Sequence, residues 1–135
     1  MSEEKAKEPK IGKVIAVMSG KGGVGKSLIT SLLALSLRRQ GLEVGIMDAD
    51  ITGSSIPHIF GVKARPSVGD KGIIPPTTAT GIKLMSISFF LPSEDEAVIW
   101  RGPLLSNAIR QFWSEVDWGE LDCLVIDLPP GTSDI

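Results

Sequence analysis

The chain has 135 residues, a formal net charge of −2 and 42% hydrophobic residues, which is enough for one domain with a buried core. The weak negative charge argues against a large basic nucleic-acid surface. The single cysteine excludes an intrachain disulfide framework and an all-cysteine metal site within one chain. No run approaches the ~18 consecutive apolar residues of a membrane span, and no signal peptide is recognisable. We therefore expect a cytoplasmic protein that acts without a membrane or nucleic acid.

The first elements in chain order are a charged tail, a strand and a helix. We expect a flexible charged tail over residues 1–12 and one domain over residues 13–135. Residues 14–18 are continuously apolar, which predicts a strand buried on both faces of a parallel sheet. A helix is predicted from Lys26 to Gln40, and Leu28, Leu32 and Leu35 share one of its faces.

A phosphate-binding loop lies between this strand and this helix. It matches the P-loop pattern G-x-x-x-x-G-K-[ST] with the residues Gly20, Lys21, Gly22, Gly23, Val24, Gly25, Lys26 and Ser27. The glycines let backbone N–H groups turn towards an anion, and the helix N-terminus adds its partial positive charge. Lys26 is predicted to reach the β- and γ-phosphates and to act in catalysis, and the Ser27 hydroxyl to ligate Mg²⁺. A chance glycine-rich turn is the alternative, but the strand before the loop and the helix after it favour a nucleotide site.

Lys21 is a second lysine in this loop, and the general pattern does not require it. It is either a solvated charge or a residue that completes a nucleotide site across a dimer interface, as an arginine finger does in trans.

The later elements complete an α/β pattern. Strands are predicted over residues 42–47, 82–89 and 121–126, loops with short elements over residues 52–80, and a helix beginning at Gly102-Pro103. In that helix Phe112 and Trp113 are expected to pack in the core, and Cys123 is expected to be a buried apolar residue of the last strand. The pattern predicts a mainly parallel sheet flanked by helices, that is, a P-loop NTPase fold.

Acidic residues follow two of these strands, at the edge of the sheet where ligands bind in α/β folds. Asp127 ends an apolar strand, as in a Walker B segment, and is predicted to hold Mg²⁺. Asp48 is predicted to support the same metal, Asp50 to orient the attacking water, and the Gly131 N–H to lie near the γ-phosphate. Caps and turns are the alternative roles for the aspartates.

At these residues the chain resembles the deviant Walker A ATPases of the ParA/MinD superfamily, whose P-loop reads K-G-G-x-G-K-[ST]. It is most similar there to the Mrp/ApbC family of iron–sulfur cluster carrier ATPases. The closer match lies in four segments: Asp48-Ala49-Asp50-Ile51 with Ser55-Ile56-Pro57, residues 81–87, Trp100-Arg101-Gly102-Pro103, and residues 118–122 leading to Asp127-Leu128-Pro129-Pro130-Gly131-Thr132.

The resemblance implies ATP and Mg²⁺ as cofactors, a 4Fe–4S cluster as cargo and iron–sulfur proteins as clients. It also implies a homodimer in which Lys21 reaches the partner's nucleotide. Asp50 would lie in a first switch segment, and residues 127–131 would form Walker B and a second switch. Leu28 stands where the family usually has Thr, so a hydroxyl to the α-phosphate is lost while the Leu28 N–H remains.

The family's C-x-x-C cluster ligands lie in a C-terminal half that follows the segment matched here. We therefore expect this chain to be the N-terminal part of a longer domain, truncated after the second switch, with an exposed edge on the strand before the P-loop. The expected function is Mg-ATP binding and slow hydrolysis coupled to iron–sulfur cluster carriage. The alternatives are a ParA/MinD-type positioning ATPase and a nucleotide-binding module without turnover.

Overall fold

The described residues form six strands, three α-helices and one 3₁₀ helix. The structure, a computed structural model, describes residues 10–18, 26–49, 56–63, 65–90 and 102–128. The elements of these residues are β1 (Lys10–Val17), α1 (Lys26–Arg39), β2 (Val44–Asp48), α2 (Ile56–Ile59), β3 (Ser67–Gly69), β4 (Gly72–Ile74), β5 (Lys83–Ser86), a 3₁₀ helix (Ile87–Phe90), α3 (Gly102–Glu115) and β6 (Glu120–Asp127). Within these ranges no helix has both the length and the apolar character needed to cross a membrane.

The described strands form a four-stranded sheet in the order β1-β6-β2-β5, in which every neighbouring pair is parallel. Strands β3 and β4 form a separate antiparallel hairpin. The predicted α/β fold with a mainly parallel sheet is therefore confirmed.

Two apolar clusters pack on opposite faces of this sheet, because side chains alternate along each strand. Ala34 of α1 packs on one face, against Val44, Ile46, Ile82, Leu84 and Val125. Phe112 of α3 packs on the other face with Val116 and Trp118, against Met47, Met85 and Leu124. The indole N–H of the buried Trp118 donates to the Phe112 carbonyl oxygen at 3.0 Å.

Strand β1 is not buried on both faces, so that part of the prediction is wrong. None of residues 10–18 is buried, and the side chains of Val14 and Met18 are 48% and 64% exposed. Among the described strands β1 pairs with β6 alone, and it stands at the end of the sheet. An apolar run indicates that a strand favours burial, but it does not show whether other elements of the fold cover both of its faces. The edge expected for this strand is observed.

Helix α1 contacts the sheet through a different face from the leucine face singled out in the sequence. The buried residues are Lys26, Ser27, Thr30, Ser31 and Ala34, whereas Leu28, Ile29 and Leu32 are each more than half exposed. Small side chains let the helix approach the strands closely. The hydroxyls of Thr30 and Ser31 remain satisfied there, because they donate to the carbonyl oxygens of Lys26 and Ser27 at 2.9 and 2.8 Å.

Three further expectations concern the ends of β5 and α3 and the last strand. The strand predicted over residues 82–89 ends at Ser86, where the 3₁₀ helix begins. Phe112 is buried as expected, but Trp113 is 38% exposed, so its assignment to the core is wrong. Cys123 is buried in β6 as expected.

Candidate functional site

Three polar side chains lie side by side where neighbouring strands end. Asp48 of β2 is in register with Asp127 of β6 on one side and with Ser86 of β5 on the other. Each lies two residues beyond a side chain that packs towards α1, namely Ile46, Val125 and Leu84. Because side chains alternate along a strand, Asp127, Asp48 and Ser86 share the α1 face of the sheet. We call these three residues the polar row. Each is at most 1% exposed.

The first two residues of α1 contact one end of the polar row. The Lys26 ammonium forms an ion pair with Oδ1 of Asp127, and the Ser27 hydroxyl donates to Oδ2 of the same carboxylate at 2.9 Å. Both P-loop side chains are buried. One carboxylate thus binds the charged and the hydroxyl group that the P-loop supplies.

Backbone hydrogen bonds fix the strand ends around this carboxylate. The Ala49 N–H donates to the Asp127 carbonyl oxygen at 2.9 Å, and the Leu128 N–H donates to the Val17 carbonyl oxygen at 3.1 Å. The ends of β1, β6 and β2 are therefore joined across the sheet, directly below the N-terminus of α1. Hydrogen bonds between strand ends suit a site whose groups must be held in place before a ligand binds.

The oxygen atoms at this point fit a magnesium ion. Mg²⁺ prefers oxygen ligands and usually takes one or two from the protein, with the rest from phosphates and water. The Ser27 hydroxyl and the Asp127 carboxylate are such ligands, 2.9 Å apart. Within the described residues no group of three His, Cys, Asp or Glu side chains could hold a metal by itself. A site with the Ser27 hydroxyl and the Asp127 carboxylate suits a cation that takes its other ligands from a phosphate and water.

Asp48 lies in the strand next to Asp127, at a strand separation of about 4.8 Å. Its Oδ2 accepts a hydrogen bond from the Ser86 hydroxyl at 3.0 Å. This places a second buried carboxylate beside the first, as the metal role predicted for Asp48 requires. That role stays a prediction. Ser86 was missed in the sequence, because the predicted strand continued to residue 89 and the sequence does not show that Ser86 is in register with Asp48.

The other predicted site residues divide into two groups. The Leu28 side chain is 52% exposed on α1, so only its backbone is suited to a ligand at the loop. The rest lie outside the described residues, and their roles stay predictions: Gly20, Lys21, Gly22, Gly23, Val24, Gly25, Asp50 and Gly131.

The fold and these contacts together define a class of protein. A parallel strand leads through the sequence G-x-x-x-x-G-K-S to a helix, and the lysine and serine of that sequence meet an aspartate at the end of a neighbouring strand. This is the arrangement of a P-loop nucleotide-binding protein.

Sequence comparison gives the family. The sequence profile of the ParA family described as "NUBPL iron-transfer P-loop NTPase" matches residues 10–135, and the chain belongs to this family.

Relatives and a solved structure agree with this assignment. The chain is 55% identical to an iron-sulfur cluster carrier protein of Methanococcus maripaludis, in a match that covers 93% of this chain and 44% of the relative. It is 51% identical to the cytosolic Fe-S cluster assembly factor CFD1 of Kluyveromyces lactis, with 90% and 44% covered. A nucleotide-binding protein from Archaeoglobus fulgidus, solved in complex with ADP and with cobalt, shares 51% identity at a TM-score of 0.78. That match covers 98% of this chain and 49% of the other. The chain thus spans less than half the length of these proteins.

Proposed function

We propose that this chain is the nucleotide-binding part of an iron–sulfur cluster carrier, which binds Mg-ATP at the P-loop and hydrolyses it slowly. The observation that carries the proposal is the contact of Lys26 and Ser27 with the buried Asp127 at the strand ends. The family supports it, as do the relatives named as carriers and the ADP in the A. fulgidus protein.

The binding step follows from the chemistry of the two P-loop side chains. The Lys26 ammonium is suited to bind the β- and γ-phosphates, and the Ser27 hydroxyl and the Asp127 carboxylate are suited to hold Mg²⁺. When bound, Mg²⁺ supplies charge neutralisation at the phosphates. Leu28 offers its N–H but no hydroxyl, so we expect weaker binding of the α-phosphate than with Thr at this position.

For hydrolysis the chain has little covalent chemistry to perform, because phosphoryl transfer depends mainly on positioning and charge stabilisation. We assign the orientation of the attacking water to Asp50 and charge stabilisation to Lys26. We further propose that Lys21 reaches the nucleotide of a second copy in a homodimer, and that the Gly131 N–H meets the γ-phosphate.

Replacing Asp50 by alanine should leave ATP binding unchanged and lower phosphate release at least tenfold, since a positioned catalytic group typically contributes a factor of about 10² or more. ATP affinity by calorimetry and steady-state phosphate release are the two measurements. Asp70→Ala, which removes an exposed carboxylate in the β3–β4 turn, is the matched control. Unchanged turnover in Asp50→Ala would remove Asp50 from the mechanism.

Cluster carriage is proposed for the complete protein. Cys123, the chain's one cysteine, is 5% exposed within β6 and is poorly placed to hold a cluster at the surface. The intact mass of the protein from its native source is therefore the first measurement. A mass well above 14.4 kDa would identify a longer product.

That product, reconstituted without oxygen, should retain iron and sulfide, whereas the 135-residue chain should retain neither. Cys123→Ala in the longer product is the control, and its iron content should equal that of the wild type. A longer product that holds no iron or sulfide would count against the carrier.

A nucleotide-binding module without turnover is the second candidate, and Leu28 in place of a hydroxyl-bearing residue favours it. Steady phosphate release by the chain that Lys26→Ala abolishes would exclude this candidate.

A further inference from the structure

The Ser86 hydroxyl lies at the far end of the polar row, away from the P-loop side chains. Ser86 is 0% exposed, and its Oγ lies 3.0 Å from Oδ2 of Asp48. The strand order β6-β2-β5 places Asp48 between Asp127 and Ser86. The site proposed above uses Lys26, Ser27, Asp127 and Asp48, and it gives Ser86 no role.

The direction of the hydrogen bonds between Ser88, Ser86 and Asp48 follows from the number of protons that these groups can donate. Ser86 Oγ is within reach of the Asp48 carboxylate and of Ser88 Oγ at 2.8 Å, and it accepts the Ser88 N–H at 3.1 Å. An ionised carboxylate can only accept. The single hydroxyl proton of Ser86 therefore goes to Asp48, and the Ser88 hydroxyl donates to Ser86. The result is a directed chain from Ser88 through Ser86 to Asp48.

We infer that Ser86 is a positioning residue for Asp48, which it holds in the orientation that supports the nucleotide-bound cation. This inference rests on the proposed function. The terminal torsion of an aspartate is broad, so the carboxylate plane is poorly fixed unless a neighbour fixes it. Ser86 holds one oxygen of Asp48 from the β5 side, and the predicted metal ligand Asp127 lies on the β6 side. A second hydroxyl behind Ser86 orients its proton.

A purely structural role for Ser86 makes a different prediction. Its Oγ accepts the Ser88 N–H at the start of the 3₁₀ helix, which is a capping contact. If capping were its only role, removing the hydroxyl would lower stability and leave the cation affinity alone. The test must therefore measure both quantities.

The experiment uses the full chain with ADP and Mn²⁺ as the probe, and free Mn²⁺ is measured by electron paramagnetic resonance. Ser86→Ala should weaken Mn²⁺ binding to the ADP complex about five- to tenfold, the size expected for the net contribution of one typical hydrogen bond. ADP affinity in the presence of a chelator should stay unchanged. Ser86→Thr, which keeps the hydroxyl, should restore Mn²⁺ affinity, and in an Asp48→Asn background Ser86→Ala should have no further effect.

Thr78→Ala is the matched control. The Thr78 hydroxyl is buried and accepts the Ile82 N–H at 3.0 Å, so it also accepts a backbone N–H, but in a turn away from the polar row. This variant should lower the melting temperature without changing Mn²⁺ affinity. If Ser86→Ala does not melt cooperatively, Ser86→Cys replaces it in the test. Cysteine has nearly the volume of serine but is only a weak hydrogen-bond donor, so the Mn²⁺ affinity of Ser86→Cys should also be lower than that of the wild type.

Wild-type Mn²⁺ affinity in folded Ser86→Ala or Ser86→Cys would overturn the inference and leave the proposed function standing. An equal loss in the Asp48→Asn background would also overturn it, since Ser86 would then act without Asp48. A wild-type chain that binds no Mn²⁺ with ADP would overturn the proposed nucleotide site and this inference together.

Discussion

Replacing Lys26 by alanine is expected to weaken ADP binding about a hundredfold or more. The variant loses the charged group that is proposed to bind the phosphates, and hydrogen bonds to charged groups contribute up to about 3 kcal/mol each. Calorimetric titration with ADP, with and without Mg²⁺, measures the loss. Because Lys26 also pairs with Asp127, the melting temperature of the variant must be measured beside its affinity.

Lys63→Ala is the control for this prediction, because it removes an exposed lysine that lies outside α1 and the strand ends. Its ADP affinity should equal that of the wild type. If folded Lys26→Ala bound ADP within threefold of the wild type, phosphate recognition by this lysine would be excluded, and the nucleotide function would have to rest on the loop backbone alone.

Replacing Asp127 by asparagine is expected to lower the free energy of unfolding of the nucleotide-free protein by about 3–5 kcal/mol, the usual cost of removing one partner of a buried ion pair. The Lys26 ammonium is 4% exposed, and in the variant it keeps its charge without this carboxylate. Denaturant titration without nucleotide measures the change. The same variant should bind Mn²⁺ more weakly in the presence of ADP.

Asp122→Asn is the matched control on the same strand, since the Asp122 carboxylate is exposed and its Oδ2 accepts the Glu43 N–H at 2.7 Å. It should lower the free energy of unfolding by about 1 kcal/mol or less.

The double variant Lys26→Met/Asp127→Leu separates stability from function. It should recover most of the lost stability, as apolar replacements of buried ion pairs often do, but it should not bind ADP. Unchanged stability of Asp127→Asn would mean that the ion pair contributes nothing to the folded state.

The sequence predicted the order of the elements well, and three of the predicted site residues, Lys26, Ser27 and Asp127, lie together at one end of the sheet. The P-loop needs a strand before it and a helix after it, and Asp127 needs a strand end, so these motifs specify the fold around them. Helix α1 and strand β6 begin and end within one residue of their predicted bounds. The contact of Lys26 and Ser27 with Asp127 follows from the same geometry.

The sequence did not predict which surfaces are covered. Helix α1 is apolar on most of its circumference, so periodicity could not show that Thr30, Ser31 and Ala34 face the sheet while Leu28 and Leu32 face outwards. The burial of β1 could not be predicted either, because it depends on neighbours such as β6 that are distant in sequence. Ser86 was missed because its role depends on register: only the pairing of β5 with β2 places its hydroxyl on Asp48.

The ion pair between Lys26 and Asp127 has a consequence for the release of a nucleotide. When a phosphate dissociates from a lysine, the ammonium group normally loses its anionic partner and has to be solvated by water. Here Asp127 can take the lysine back, so departure is an exchange of one anionic partner for another. In the proposed site arrival would be the reverse exchange, in which Lys26 would turn to the phosphate and Asp127 would become available to a cation. Neither charge would then be without a partner at any stage, which would lower the energetic cost of exchanging the nucleotide while hydrolysis itself stays slow.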